Sequence, residues 1–355
     1  MSAKMPEYYD ELFAEAERRR RCVIPGHPSF SRYCTRHVKL GDLVSPQRGM
    51  FARKPSWEKL SAIERHLHIA RTLAASHPSW TFSHFTAAAA FGLSVPYAKL
   101  ASVHRLVDPS SRSSSRLETC HVGESGETMR VRGLRITAFE RTVFDCLCNL
   151  GFEDGVALAD SALRLSGMTS MQLCELLDAF ATGRSRGIVV ARRSACFADG
   201  RSESGGESIA RAAMHELGFM IPELQEEVPD PLDPSRRYRV DFAWHLPDGR
   251  TVLGEFDGRE KYADPAMTGG RAAVDVLADE RLRESRISRY GYPIMRFGYR
   301  DMKDRRFFRR LLDTFGIPRA RVRRNGEKIL LVPRDRPMFF RGIRARVFLV
   351  YPAAA

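Results

Sequence analysis

Paired cysteines are missing from this chain. Its seven cysteines stand at 22, 34, 120, 146, 148, 174 and 196, with no CxxC spacing among them. That excludes a zinc knuckle and leaves no disulfide framework of the secreted kind. Long apolar runs are missing too, since none approaches the roughly 18 residues that would cross a bilayer. The opening stretch, MSAKMPEYYDELF, is mixed and acidic, where a secretory leader would be basic and then apolar. The expectation is a cytoplasmic protein with no membrane partner.

Positive charge is in excess, and mostly at one end. The formal net charge is +14, and residues 296–346 carry 17 Lys/Arg against 5 Asp/Glu, a local balance of +12. So lopsided a field favours polyanions, nucleic acid first; a solvated tail or an acidic partner protein is the other reading. Hydrophobic content of 43% supports ordinary packed cores, and 355 residues imply two or three domains. Composition suggests four stretches: 1–54, 55–199, 200–318 and a basic tail, 319–355.

Residues 5–21 read as a short helix ending in Arg18-Arg19-Arg20-Arg21, followed by a break at Pro25, Gly26 and Pro28. SFSRYCTRHVKLGDLV then reads as a second helix and SPQRGMFAR as a tight loop feeding a strand. Helix, helix, basic hairpin is the outline of a winged helix. In such a module Arg32, Arg36, His37 and Lys39 would line the recognition helix and Arg48 the wing tip; a solvated helix face is the alternative. From 57 to 76 the spacing of Leu60, Ile63, Leu67, Ala70, Leu73 and Ala74 predicts one amphipathic helix. A small-residue helix, 85–91, ends at Gly92. Short strands VHRLVD and LETCHV follow, split by the serine-rich turn PSSRSSSR. TAFERTVFDCLCNL and FEDGVALADSALRL read as packed helices. The runs 183–187 and DGRSESGG read as linkers, which sets the expected boundary near 200. His66 and His68, two apart on a helix, do not face each other. Ser83-His84 lacks an evident carboxylate partner.

The last region carries the chemistry. ESIARAAMHELG predicts a helix with Ile209, Ala212, Ala213 and Leu217 inward. YRVDFAW, a PDG turn and TVLGEFD predict a hairpin, followed by a charged helix over 274–289 and the strand PIMRF. Period two puts Asp241 on one face with Arg239 and Ala243, and Glu255 with Leu253 and Asp257. Carboxylates on a buried face are costly unless paired or bound to a cation. Asp241 and Glu255, paired across the hairpin, suit Mg²⁺ or Mn²⁺, with Glu207 at the helix start as a third ligand. The alternative readings pair Glu207 with Arg211 and Asp241 with Arg239 or Arg283, and leave Glu255 with Asp257 as a solvated hairpin end. Arg283 and Arg296 either bind phosphate or neutralise the cluster.

SESGGESIARAAMHELG, RYRVDFAW, VLGEFDGREKY and DERLRESRISRYGYPIMRF, over about 115 residues, resemble the PD-(D/E)XK nucleases, closest to their Vsr-like members. The resemblance implies a restriction-endonuclease-like α/β sandwich for 200–318. It also implies metal binding by Asp241 and Glu255, with Glu207 as ligand or orienter and the Phe256 carbonyl as a further ligand, and metal-dependent DNA hydrolysis. It places a lysine two residues past the glutamate, where this chain has Asp257; no cation is expected on that face, and Lys261 would have to reach back to replace it. Residues 30–195 resemble AbiEi-type antitoxins through SHFTAAAAFGL and VRGLRITAFERTVFDCL. That implies an α+β, winged-helix-like and helical region in a type IV toxin–antitoxin autorepressor. Three expectations follow: a DNA endonuclease of repair or defence, a non-catalytic DNA-binding regulator, or an antitoxin that contacts a cognate toxin protein.

Overall fold

In the computed structural model, the described residues are 7–108, 117–123, 126–181, 186–258, 281–283 and 285–319, with the backbone of 321–322 and 328–329. They form two compact units, 1–149 with 180–186 and 150–179 with 187–355.

The first unit begins with α1 (Glu7–Arg18), acidic in its first turn and basic in its last, which suits the helix dipole. Next, α2 (Pro28–Leu40) opens on a proline and stops at Gly41, φ +88°. The hairpin of β1 (Leu43–Gln47) and β2 (Met50–Arg53) turns at Arg48-Gly49. Phe13, Phe30, Cys34, Leu43 and Phe51 close one small core over these elements. The single helix expected over 57–76 is instead two, α3 (Lys54–Glu58) and α4 (Ala62–Ser76). The side chain of Ser61 caps the Glu64 N–H and starts a new helix there. The buried face of α4 mixes His66, Arg71 and Thr72 with Leu67 and Ala70, so the apolar stripe did not define it.

The alanine-rich α5 (His84–Phe91) is buried from His84 to Ala90. β3 (Val103–Val107) and β4 (Glu118–Val122), the two short strands expected on either side of the serine-rich stretch, pair in parallel; residues 109–116 lie outside the described residues. β5 (Thr128–Val131) and β6 (Leu134–Thr137) form a hairpin, followed by α6 (Phe139–Leu147). Phe82 bridges to both Arg105 and Ile136.

The second unit starts at Leu150, well before the boundary expected near 200. It opens with α7 (Phe152–Ser166), α8 (Ser170–Phe180), whose last residue falls with the first unit, and α9 (Ile188–Phe197). Phe152, Val156 and Phe197 share a core with Ala212 and Ile221. The helices expected to pack as one domain are thus divided between units, because partners far along the chain claim α7 and α9. DGRSESGG is no linker: Ser202 is fully buried and bonds Ser208.

A four-stranded mixed sheet forms the centre of this unit, in the order β10-β9-β8-β7. The strands are β7 (Glu223–Pro229), β8 (Arg237–His245), β9 (Thr251–Asp257) and β10 (Ile294–Gly298), with β9 and β10 parallel and the other pairs antiparallel. β7, ELQEEVP, is polar and lacks the apolar alternation that marks β8 and β9. Flanking helices are α10 (Gly205–Glu216), α11 (Tyr299–Lys303) and α12 (Arg305–Thr314). Ala213, Met214, Phe308 and Leu312 pack with Phe242, Trp244 and Phe256 on one face. Val228, Val240, Ala243, Leu253 and Ile287 form a second core on the other.

Alternation along β8 fails at its middle. Phe242 and Trp244 enter the first core, but Val240 joins the second. The change of face falls at Asp241, opposite Gln225 of β7, which has φ +56° and drops out of the strand register. No described helix is long and apolar enough to cross a membrane.

Candidate carboxylate site

Asp241 and Glu255 stand where β8 and β9 part. The last paired residues are Phe242 and Gly254. One step further a side chain replaces the ladder, as Asp241 Oδ2 accepts the Phe256 N–H at 2.8 Å. Both carboxylates are buried, 9% and 8% exposed. Burial pushes the Glu255 carboxyl up to about 7; the Arg283 guanidinium opposes that rise, the negative charge of Asp241 adds to it, and Arg296 opposes it further.

Arg283 donates to Glu255 Oε1 at 2.9 Å and to the Arg239 carbonyl at 2.9 Å. It therefore binds Glu255 and not Asp241, while Arg239 turns to Glu203 at 2.8 Å. The expectation that no cation shares the face of Asp257 is corrected. Arg296, from the neighbouring β10, grips Asp257 with two bonds, 2.7 and 3.3 Å long. In this state both arginines neutralise the cluster.

Glu207 plays a different part. Ser204 caps α10 by accepting the Glu207 N–H, and its hydroxyl donates to Glu207 Oε1 at 2.7 Å. Glu207 Oε2 accepts from the Glu203 N–H at 2.9 Å and from Gln225 Nε2 at 3.0 Å. Both oxygens are spent on this reciprocal cap. Its expected partner Arg211 binds Asp160 instead. The cap presses on the sheet so closely that a Cβ on Gly206 would lie 2.2 Å from the Phe256 ring.

Among the described residues, no set of three or more His, Cys, Asp or Glu side chains is arranged to hold a metal ion. Two carboxylates remain, each with one oxygen engaged, Asp241 Oδ2 and Glu255 Oε1. Mg²⁺ commonly takes one or two carboxylates and completes its shell with water and substrate phosphate. The Asp241–Glu255 pair fits that pattern. Lys261 lies outside the described residues.

In the first unit, Arg32, Arg36 and Lys39 are exposed on α2 and Arg48 is exposed at the hairpin turn. His37 is not part of that face. It is 1% exposed, bonds Asp42 at 2.8 Å and stacks on Tyr33. His66 bonds Thr86 and the Leu100 carbonyl, and His68 bonds the Glu64 carbonyl. Ser83-His84 does have a carboxylate nearby: Asp145 is 3.9 Å from His84 Nδ1. Ser83 approaches that same nitrogen, at 3.1 Å, so the three do not form a relay through the ring.

Two features of the carboxylate region were invisible to pattern reading. Gln225 supports Glu207 from an unrecognised strand. Buried Asp230 takes bonds from Tyr238 and Arg286, at 2.5 and 2.7 Å. The spacing from 230 to 286 gave no signal for that pair.

Fold and site together define a two-unit mixed α/β protein whose C-terminal sheet bears a buried carboxylate–guanidinium cluster. No family profile and no solved structure matches the chain. It is 33% identical over 214 residues to the uncharacterized proteins MT2308 and Rv2248 of two Mycobacterium tuberculosis strains, covering 59% of this chain and 71% of each relative. The chain belongs to the family of these two proteins.

Proposed function

We propose that this protein acts on DNA, and that its C-terminal unit hydrolyses phosphodiesters with Mg²⁺ or Mn²⁺, in repair or defence, as the Vsr-like PD-(D/E)XK nucleases it resembles do. The supporting observation is the buried Asp241–Glu255 pair at the parting of β8 and β9. A divalent ion held there would supply an acidified water and offset phosphate charge. Asp241 keeps the strand ends open by taking the Phe256 N–H. Glu255 and Asp257 hold Arg283 and Arg296 beside the pair, where guanidiniums favour the charge that grows on the phosphoryl oxygens. The winged-helix-like α2 and hairpin supply DNA contact through Arg32, Arg36, Lys39 and Arg48.

One observation favours a second reading. The position where the resemblance implies lysine holds Asp257, already paired with Arg296. A non-catalytic AbiEi-like antitoxin or autorepressor, binding DNA or a cognate toxin, needs no lysine there. Plasmid cleavage with Mg²⁺ or Mn²⁺ separates the two. Wild type should cut, and Asp241→Asn, which keeps an acceptor for the Phe256 N–H, should fold and not cut. DNA binding without metal-dependent cutting of any DNA form would discard the nuclease reading.

A further inference from the structure

Away from the carboxylates, the first unit contains a cleft of about 490 Å³ walled by Arg18, Arg19, Arg20, Arg21, Arg71 and Arg132, with Glu64 its one acidic side chain and Gly133 at the edge. We propose that this cleft is a phosphate-binding site that takes two neighbouring phosphates, as presented by a nucleic-acid backbone or by pyrophosphate. It does not depend on the carboxylate site.

Arg71 is the base of the cleft. It is 5% exposed, donates from Nε to the Arg132 carbonyl at 2.9 Å, and leaves its buried Nη1 without a hydrogen-bond partner. Glu64 Oε2 lies 3.5 Å from that nitrogen, and Glu64 Oε1 lies 3.8 Å from Arg132 Nη1. A buried guanidinium donor without an acceptor is costly. One carboxylate among so many cations leaves a surplus that an anion would balance. Burial lowers the Arg71 pKa, the Glu64 carboxylate opposes that fall, and the nearby charges of Arg20 and Arg132 add to it. Arg18 and Arg19 are tied to Glu15, so Arg20, Arg21, Arg71 and Arg132 are the cleft arginines left to receive a ligand.

Backbone strain points to the same place. The non-glycine residues with positive φ among those described are Arg20, His84, Arg132 and Gln225. Two of them are arginines of this cleft. Arg20, φ +52°, closes α1 in the position that glycine ordinarily takes, with its N–H on the Glu17 carbonyl and the Arg21 N–H on that of Ala16. Arg132, φ +49°, precedes Gly133 in the β5–β6 turn, where asparagine is ordinarily preferred. Residues held in sparsely populated backbone regions cluster at functional sites. The walls present no aromatic ring, so the cleft offers charge for phosphates and nothing on which a base would stack.

The strain makes the test sharp. The double variant Arg20→Gly/Arg132→Asn removes two cations while easing both backbone positions, so it should melt no lower than wild type. In the full chain, titration calorimetry with pyrophosphate and fluorescence anisotropy with a labelled oligonucleotide should show wild-type binding. The variant should bind about tenfold or more weakly, from the loss of two charge-assisted contacts. Weakening of both probes assigns the cleft to a nucleic-acid backbone, and weakening of pyrophosphate alone assigns it to a small anion. Equal binding by variant and wild type, or no pyrophosphate binding by wild type, overturns the proposal. Asp241→Asn should bind pyrophosphate as wild type does, which keeps failure of the nuclease reading distinguishable from failure of this one.

Discussion

Nη2 of Arg211 lies 3.0 Å from both carboxylate oxygens of Asp160, and the two side chains are 1% and 0% exposed. Asp160 also accepts the Asp199 N–H at 2.7 Å, and Arg211 donates to the Phe197 carbonyl. One buried pair therefore binds α7, the end of α9 and α10 together beneath the cap that carries Glu207. Breaking a buried pair strands its partner's charge, which costs about 3–5 kcal/mol. Asp160→Ala should destabilise the second unit by that amount in denaturant unfolding, while Asp160→Ala/Arg211→Met should recover part of it. A loss within experimental error for the single variant would show that solvent reaches Arg211.

Gly206 is the residue that lets the cap approach the sheet. A methyl group there meets the Phe256 ring, and overpacking of this kind costs about 1–3 kcal/mol. Gly206→Ala should lower the unfolding free energy by that much in denaturant unfolding. It should also speed amide exchange at Glu207 and Phe256, measured by hydrogen exchange and mass spectrometry.

Acid and base should act on the two units in opposite senses. Burial lowers the pKa of His66, His104 and His121 to about 4 and of His84 to about 2; mutual repulsion among them contributes at His84, His104 and His121. Groups depressed in this way contribute stability above about pH 6.5 and lose it as pH falls through their folded values. Glu255 is raised from 4.5 to about 7, so its contribution is complete below pH 4.5 and fades as pH rises through 7. Thermal unfolding followed from pH 4 to 8 should show the first unit gaining and the second losing on this account. Glu255→Gln should flatten the second trend, and Mg²⁺ at pH 8 should raise the wild-type midpoint.

The exposed cations of α2 and the hairpin should act through phosphate. Arg36→Ala/Arg48→Ala should weaken DNA binding on unrelated sequences and reduce the slope of log affinity against log salt by about 2. His37→Ala should leave that slope alone and lower the melting temperature instead, since it removes the bond to Asp42 and the stack on Tyr33. A reduced slope for His37→Ala would put the imidazole on the DNA after all.

Several features were legible from residues alone. The PDG turn between alternating runs marked the β8–β9 hairpin, and that hairpin brought Asp241 and Glu255 to neighbouring strands. Gly92 marked a helix end, and Ser204 with Glu207 three residues on carried a capping signature that the acidic reading of Glu207 overrode. β7 escaped because ELQEEVP is polar, and what makes it a strand is the partner beside it.

By itself the chain determined its local units: helix ends, the hairpin, and the charge that accumulates toward its basic end. These depend on backbone preferences and spacing within a few residues, which a linear pattern records. Only the tertiary structure decided that α7 belongs with α10, that Arg296 faces Asp257, that His37 turns inward, and that Arg20 meets Arg71 and Arg132. Apart from His37, whose partners Tyr33 and Asp42 are near neighbours along the chain, each of those brings together residues distant in sequence, and burial sets the strength of the interaction after the chain has closed around it.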